Sequence, residues 1–247
     1  PLSPDLFKLF LKDLSPLLNF NCCPELSGKL VSHLLWADDL IIFALDDTTL
    51  HKQLTKLTKF CNDWGLEINV DKTKLMAFNH NTTSESKTDF SISGRNVEYT
   101  DSYCYLGITI DKTGHFKLAK QNLKIKSMRA LFSLKRAVIK TELSFRSLTT
   151  LFDALIKPIV LYGAPIWTPT TPIIKAIHKS VTNNNFQNNL LTKLSYLHSE
   201  RIHLHFLKWA LGVHKKASNV GVWGEAGRYP LIYECIKLTL NYYKRID

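Results

Sequence analysis

The chain has 247 residues, of which 45% are hydrophobic, 11% aromatic and 21% charged, a composition unlike that of disordered, collagenous or low-complexity proteins. Its longest unbroken apolar run, Leu40–Leu45, falls far short of the roughly 20 residues that a membrane-spanning helix requires. The net charge of +11 is uneven, because residues 1–100 hold ten Lys and Arg against thirteen Asp and Glu, whereas residues 101–247 hold twenty-two against eight. This asymmetry indicates either an acidic, metal-binding part followed by a part that contacts a polyanion, or simply a basic solvated surface.

The first hundred or so residues mix helices with short strands. A mostly buried helix is predicted over Leu6–Leu14, and a hairpin over Leu30–Ala44 has Ala37-Asp38-Asp39 at its tip. Asp46 and Asp47 are expected to cap a helix whose apolar residues recur at helical spacing up to Gly65. Further strands are predicted at residues 66–70, 75–78, 90–93, 96–99 and 103–110, with an exposed loop at 79–88.

Beyond residue 112 the pattern becomes helical. The stretch Phe116–Ile139 has no Gly or Pro, and a second helix carries Leu148–Ile156 with Pro158 near its end. An aromatic segment, Leu161–Trp167, follows. An asparagine-rich loop is predicted at residues 183–189, and two more helices at 196–211 and 231–246. The fold class is therefore expected to be α+β, with an antiparallel sheet and helices first and only helices afterwards.

Cysteine and histidine usage gives no sign of a structural metal or of disulfides. The five cysteines are odd in number and form no C-x-x-C pair, so the sequence predicts a reducing, intracellular setting. Four histidines occur close together, but no Cys or Asp stands at ligand spacing from them, and we expect surface or half-buried side chains rather than a zinc site. They are His198, His203, His205 and His214.

Two adjacent carboxylates at the tip of an apolar hairpin are unusual. Two-residue turns need positive φ and favour Asn-Gly or Asp-Gly, and neighbouring acids repel each other unless a cation offsets the repulsion. Mg²⁺ is held by oxygen ligands such as these, and a pair of such ions activates a 3′ hydroxyl and stabilises the departing pyrophosphate in nucleotidyl transfer. The alternative is an ordinary polar turn.

A run of cations lies between Asp111 and Glu142 without a single acid. Helical spacing places Lys117, Lys120 and Lys124 on one face, and the opposite face, expected to be buried, carries Leu118, Ile125, Met128 and Phe132. A cationic face of this kind predicts sequence-independent binding to nucleic-acid phosphates; the alternative is a solvated helix. The predicted nucleic-acid-binding residues are Lys117, Lys120, Lys124, Arg129, Lys135, Arg136 and Lys140.

Four motifs in one order resemble the reverse transcriptases of LINE-type (non-LTR) retrotransposons. Leu35–Leu40 is similar to their aromatic-Ala-Asp-Asp box, although Trp36 stands where Phe or Tyr is usual, and Pro1–Phe7 is similar to the end of the preceding box. Gly65–Lys74 resembles the following box, and Tyr105–Ile108 the primer-grip box. Leu161–Trp167 is typical of the LINE-type polymerases.

The resemblance implies roles for particular residues. Asp38 and Asp39 are implied to be catalytic and to hold Mg²⁺ in a two-metal site, with Lys72 near the leaving pyrophosphate. Tyr105, Leu106 and Gly107 are implied to form the primer grip, and Trp36 is expected to pack beneath the site. The implied organisation is a partial palm over residues 1–112, a helical thumb over 113–182 and a helical C-terminal extension over 183–247.

The implied function is that of an RNA-directed DNA polymerase, which extends a DNA primer on an RNA template with deoxynucleoside triphosphates. Because the chain starts at Pro1 without Met, we expect it to be a fragment that lacks the fingers and the first catalytic aspartate, and to be inactive alone. The alternative is a non-catalytic nucleic-acid-binding remnant of a decayed element. No membrane partner is expected, and nuclear action is implied by the resemblance alone.

Overall fold

The computed structural model describes residues 3–78, 88–169 and 197–246, which fall into two compact units, 1–101 and 102–247. Helices and small two-stranded sheets make up the described residues, so the chain has the expected α+β character. In these ranges no helix is both long and apolar enough to span a membrane. The predicted loop at residues 183–189 lies outside the described residues, as does most of the one at 79–88.

The first unit contains three helices and eight short strands among its described residues. The helices are α1 (Ser3–Phe10), α2 (Leu14–Leu17) and α3 (Asp47–Asp63), and the strands are β1 (Glu25–Leu26), β2 (Lys29–Leu30), β3 (His33–Trp36), β4 (Asp39–Ile42), β5 (Lys74–Leu75), β6 (Ser91–Ile92), β7 (Arg95–Asn96) and β8 (Glu98–Tyr99). Three pairs are antiparallel hairpins, β1–β2, β3–β4 and β6–β7, whereas β5 pairs with β8 in parallel.

Helix α3 begins and ends where its sequence predicts. The Asp46 side chain caps it by accepting hydrogen bonds from the Thr49 backbone N–H (2.7 Å) and from the hydroxyls of Thr48 and Thr49. The Cys22 thiol also donates to Asp46, and together these donors hold the pKa of its carboxyl far below the ordinary value. Gly65 follows the helix with φ of 64°, the left-handed conformation that glycine adopts at helix ends.

Several strand and helix predictions in this unit are wrong. The predicted helix over Leu6–Leu14 is split into α1 and α2, and it is not mostly buried, since Leu6 and Leu9 are 60% and 67% exposed. Residues 66–70 form no strand; they run as irregular chain into a turn around Asn69, whose backbone and side-chain oxygens accept the N–H groups of Thr73 and Lys72. Local turn bonding replaces a strand ladder there.

The second unit contains one hairpin and a set of helices. Its described elements are β9 (Ser102–Tyr105), β10 (Ile108–Asp111), α4 (Lys117–Val138), α5 (Phe145–Leu151), a π-helical turn (Phe152–Ile156), α6 (Lys157–Val160), α7 (Ala164–Trp167), α8 (His198–Ala210), α9 (Asn219–Glu225) and α10 (Ile232–Ile246). The helices α4, α8 and α10 match the sequence predictions to within about two residues, and α9 was not predicted.

The wide π-helical turn has a local cause. Pro158 has no backbone N–H and therefore cannot complete the α-helical ladder one turn back, and its ring crowds the carbonyl there. The helix widens in the turn before it, and a single helical segment thus runs from Phe145 to Val160. Phe152, Ile156 and Val160 are all buried, so the widened helix still contributes one continuous row to the core.

Helix α4 buries a different face from the one predicted. Its buried residues are Ala119, Leu123, Ser127, Leu131 and Leu134. Ile125 and Phe132, expected inside, are 49% and 50% exposed. The prediction weighted the large apolar side chains, whereas the observed face includes small residues that allow α4 to pack closely; Ser127 satisfies its hydroxyl by donating to the Leu123 carbonyl (2.7 Å).

Candidate functional site

The Asp-Asp hairpin is the two-residue turn between β3 and β4. Trp36 pairs directly with Asp39 across the ladder, so Ala37 and Asp38 form the turn and Asp39 begins the second strand. Ala37 has φ of 53°, the left-handed conformation, which leaves both aspartates in ordinary backbone geometry. The side chains of Asp38 and Asp39 are exposed. Two adjacent, exposed carboxylates thus occur at the tip of a two-stranded hairpin.

The two faces of this ribbon differ. Alternation places Leu40 and Ile42 on one face, where they pack against the core that α1, α2 and α3 form. His33 shares that face, and its Nε2 lies 2.6 Å from the Ser15 hydroxyl of α2. Beyond the strand, the Phe43 carbonyl accepts a hydrogen bond from the Gln53 amide (3.1 Å) of α3. The hairpin is therefore anchored to two helices at its base while its tip projects.

Trp36 does not pack beneath the site. It lies on the opposite face of the ribbon, next to Leu34, and is 66% exposed, whereas Leu34 is 46% exposed. The expectation that Trp36 packs beneath the site is wrong. The two-residue turn fixes which side chains share a face of the hairpin, and Trp36 falls on the same outward face as Leu34.

Lys72 lies at the turn that follows α3. The Asn69 side chain accepts the Lys72 backbone N–H at 3.1 Å, and the Thr73 hydroxyl donates to the Asn69 carbonyl at 2.8 Å, which fixes the turn. The Lys72 side chain is exposed. Its implied role near pyrophosphate stays a prediction.

The predicted primer-grip residues form a second hairpin tip, in the second unit. Residues 102–111 are two antiparallel strands rather than the single strand predicted at 103–110, and Leu106 and Gly107 form their turn with φ of 45° and 80°. Two consecutive residues in the left-handed region define the tight hairpin turn that glycine favours. Tyr105 is the last residue of β9.

A residue to which the sequence gave no role holds this turn. The Tyr162 hydroxyl donates to the Leu106 carbonyl at 2.6 Å, and a Cβ on Gly107 would lie 3.1 Å from the Tyr162 ring. The Tyr162 carbonyl in turn accepts a hydrogen bond from the Trp167 indole N–H (2.8 Å). The LINE-type segment Leu161–Trp167 was the available signal, but sequence order alone does not show that it contacts residues 106–107.

Gly163 brings the same segment against the hairpin strand. It has φ of 65°, and a Cβ there would lie 2.6 Å from Ile108 Cδ1, closer than real side chains come. Ile108 itself is buried. The hairpin tip and the aromatic segment therefore contact one another through two glycines, and neither tolerates a side chain without rearrangement.

The predicted nucleic-acid-binding residues of α4 and the loop after it do not share one surface. Lys117, Arg129, Arg136 and Lys140 are exposed, whereas Lys120, Lys124 and Lys135 are half-buried beside α8. Burial lowers the pKa of Lys120 and of Lys135. The predicted cations therefore form two sets. The four exposed residues are the outer cations, and the three half-buried residues flank the core, as Lys120 does beside the buried Ala119.

The histidine cluster also divides. His203 is fully buried, stacked on Phe152 with ring centroids 5.5 Å apart and its Nδ1 3.6 Å from a carboxylate oxygen of the buried Glu200. The expectation of a surface or half-buried side chain is thus wrong for His203. His205 is exposed, and no group of three metal-ligating side chains is placed to hold an ion in the part of the chain that the structure describes.

The similarity to a known family covers the first unit and nearly all of the β9–β10 hairpin that follows it. Residues 1–110 match the reverse transcriptase (RNA-dependent DNA polymerase) family. A putative transposon-derived protein of Caenorhabditis elegans is 27% identical over 146 residues, which are 58% of this chain and 51% of that protein. No solved structure matches the chain.

Two relatives of Drosophila melanogaster are named for retrotransposons or transposons. A putative 115 kDa protein in the type-1 retrotransposable element R1DM is 28% identical over 149 residues, 57% of this chain and 14% of that protein. A probable RNA-directed DNA polymerase from transposon BS is 25% identical over 166 residues, 66% of this chain and 16% of that protein. The chain thus spans about half of the length of the Caenorhabditis elegans relative, and 14% and 16% of the lengths of the two Drosophila relatives. Residues 1–110 are thus similar to reverse transcriptases, and the two Drosophila relatives are named for a retrotransposable element and a transposon.

Proposed function

We propose that this chain supplies part of the palm, the thumb and a C-terminal helical extension of an RNA-directed DNA polymerase. The observation that carries the proposal is the exposed Asp38-Asp39 pair at the tip of an anchored hairpin, within residues that match the reverse transcriptase family. The proposed limits are 1–112 for the palm, 113–182 for the thumb and 183–247 for the extension. RNA template, DNA primer and deoxynucleoside triphosphates are the proposed partners.

The donor set of the hairpin tip suits Mg²⁺. Carboxylate oxygens are the ligands that this ion prefers, and Asp38 and Asp39 present theirs to solvent, where water and substrate phosphates can complete the coordination. When bound, the ion would lower the pKa of an attacking hydroxyl and neutralise charge on the leaving group. Asp38, from the turn, and Asp39, from the first position of β4, would hold the ion.

The remaining residues have positioning roles in this proposal. Lys72 places a cation where negative charge develops on the leaving group. Tyr105, Leu106 and Gly107 seat the end of the primer against backbone rather than side chain, which the glycine makes possible. Tyr162 keeps that turn in place through its hydrogen bond to Leu106.

The outer cations of α4 and the loop after it, Lys117, Arg129, Arg136 and Lys140, are proposed to contact phosphates of the primer–template duplex. Their exposure supports this role, since each side chain is free to follow the helical backbone of a nucleic acid. Such contacts add affinity that depends on salt and not on base sequence.

Primer extension tests the catalytic proposal. In the longest open reading frame that contains this chain, Asp38→Asn keeps the size of the side chain but removes its charge. We expect primer extension on an RNA template to fall by about 10²–10³-fold, the usual cost of losing one electrostatic partner of the transition state. Asp13→Asn, an exposed acid between α1 and α2, is the matched control and should leave the rate unchanged.

The 247-residue chain and the longer protein, tested together, separate the two interpretations of its function. We expect it to bind a primer–template and to show no extension with Mg²⁺. Normal extension by Asp38→Asn in the long protein would contradict the catalytic assignment. An inactive long protein that still binds nucleic acid would favour the alternative, a non-catalytic binding remnant.

A further inference from the structure

Helices α4 and α8 lie side by side and run in the same direction. Near the beginnings of the two helices, burial lowers the pKa of His198 of α8, and the nearby charges of Lys124 and Lys120 of α4 lower it further. Farther along, the ring of His205 meets the edge of Phe132 at a centroid distance of 6.0 Å. Lys135, still farther along α4, places its ammonium 4.9 Å from the centre of the Trp209 ring. These neighbours follow the line along which α4 and α8 lie together, which we call the groove.

Cations line this groove on both sides. We define the basic groove by six residues: Lys120, Lys124, Lys135, Arg201, Lys208 and Lys215. In the described ranges none of them forms an ion pair with a carboxylate. The acid of α8, Glu200, is fully buried and accepts the Ile232 backbone N–H at 2.8 Å, so it faces away from the groove. Concentrated positive charge without counter-charge favours an anionic ligand.

One end of the groove widens into a cavity of about 480 Å³. Lys135, Arg201 and His205 line it from the two helices, and Lys208 and Lys215 line it from the end of α8 and the loop beyond. The Lys208 ammonium donates to the Lys215 carbonyl at 2.9 Å, which orders that loop, and the Trp209 ring holds the Lys135 ammonium in place. Lys135 and Lys208 are thus held in position before any ligand arrives.

We propose that the basic groove binds the phosphodiester backbone of a single nucleic-acid strand. The cavity between the two helices, about 480 Å³, has room for the phosphates of one strand but not for a duplex. Along α4 the cations Lys124 and Lys135 are separated by about 16 Å at 1.5 Å per residue, a length that spans several phosphates of one strand. The choice of nucleic acid as the anion rests on the proposed function.

A triple substitution in α8 and its loop tests the groove without altering α4. Arg201→Ala, Lys208→Ala and Lys215→Ala together remove three groove cations. For single strands each phosphate contact contributes about −0.7 to the slope of log affinity against log salt, so we expect the slope to flatten by about two units. Single-stranded RNA and single-stranded DNA of one sequence should lose affinity alike, because both offer the same phosphates.

The matched control removes three cations of the same unit outside the groove: Arg146→Ala, Lys237→Ala and Lys244→Ala, all exposed. It should leave the single-strand slope unchanged, and circular dichroism should show both variants folded. An unchanged slope in the groove variant, or an equal loss in the control, would overturn the proposal. So would a loss that appears only on an RNA–DNA duplex.

Failure of the groove is distinguishable from failure of the proposed function. If the unmodified chain binds single strands and the groove variant binds them equally well, only the groove is wrong. If the folded, unmodified chain binds neither single strands nor duplex, the proposed function and the groove both fail. Loss of primer extension in the longer protein bears on catalysis and leaves this binding test unaffected.

Discussion

Single residues set the geometry of both hairpin tips. At the first tip, Ala37 takes the left-handed conformation, which for a residue with a Cβ costs about 1–2 kcal/mol relative to the right-handed region. At the second tip, Leu106 does so beside Gly107 and is held by the Tyr162 hydroxyl. Substitutions can therefore test separately the backbone strain at the first turn and the hydrogen bond that supports the second turn.

We expect Ala37→Gly to stabilise the first unit by up to about 1 kcal/mol, because glycine adopts positive φ without steric cost. Ala37→Val should destabilise it, since a β-branched residue is least tolerated there. Denaturant unfolding measures both. Ala130→Gly in the middle of α4 is the control of opposite sign, with an expected loss of about 1 kcal/mol. Equal signs for the two Ala→Gly changes would exclude strain at Ala37.

Tyr162→Phe should loosen the second turn. It removes the hydroxyl that donates to Leu106, so we expect a loss of about 1 kcal/mol in the free energy of unfolding and faster hydrogen exchange at the backbone amides near the turn. Tyr233→Phe, at a half-exposed tyrosine of α10, should change neither quantity. Unaltered exchange in Tyr162→Phe would mean that the ring contact with Gly107 suffices.

At the scale of elements, an ion pair ties the widened helix to the chain after α9. Arg228 donates to both oxygens of Asp153, at 3.0 and 2.5 Å, and Lys157 lies 3.3 Å from the same carboxylate one turn along. Burial raises the pKa of Asp153, but the hydrogen bonds and charges of Arg228 and Lys157 outweigh it, and the pKa lies below its ordinary value. The bidentate geometry makes Arg228 the stronger partner.

Arg228→Ala should therefore cost on the order of 2 kcal/mol in unfolding free energy at neutral pH, and Lys157→Ala only about 0.5 kcal/mol. Because folding depresses the pKa of Asp153, its contribution is present above 3.8 and is lost as the pH falls through the lower folded value. Thermal unfolding from pH 7 to pH 2.5 measures this loss. The Arg228→Ala protein should show a smaller loss, and equal losses would rule out the pair as its source.

Sequence patterns predicted the ends of elements better than their orientation. The cap at Asp46, the stop at Gly65 and the length of α4 depend on local chemistry, which the sequence displays. The buried face of α4 depends on what packs against it. Because cations occur all around this helix, the sequence alone does not show which face is buried. Long lysine stems cover apolar surface as effectively as Ile or Phe, so Lys120 lies beside the core while Ile125 faces outward.

The candidate site was predictable in the same limited sense. The order of the motifs gave Asp38, Asp39 and Lys72, and the structure adds that the aspartates are exposed and that Trp36 faces outward. The contact between Leu106 and Tyr162 joins residues 56 positions apart, and no local pattern encodes it. The spacing of apolar residues does not predict the π-helical turn either, because it does not show how the helix accommodates the missing N–H of Pro158.

At the scale of the whole molecule, charge is divided between the two units, and in the second unit it is organised by α4 and α8. Partial removal from water lowers the pKa values of His198 and His205, and the groove cations lower them further. Lys124, Arg201 and Lys120 act on His198, and Lys135 acts on His205. A bound phosphate would oppose those charges and raise both pKa values. Strand binding should therefore be accompanied by proton uptake.

We accordingly expect the affinity of the chain for single-stranded RNA to rise as the pH falls through and below 6.5, the ordinary histidine value. The sign follows because the bound state has the higher pKa and so gains protons that the free state lacks. A variant with His198→Asn and His205→Asn should show a flatter pH dependence, and His214→Asn, an exposed histidine beyond α8, serves as control. An identical pH profile in the double variant would exclude these two groups.

The π-helical turn sets the rotation, about the helix axis, of every residue that follows it in its helix. A turn that holds one extra residue rotates the later positions by about 100° relative to an uninterrupted α-helix. Just beyond this helix, Tyr162 and Gly163 contact the β9–β10 hairpin in that orientation. Deleting one residue between Phe152 and Ile156 would undo this rotation and turn Tyr162 away from Leu106. Length in this helix is therefore under tighter constraint than the identity of its exposed residues.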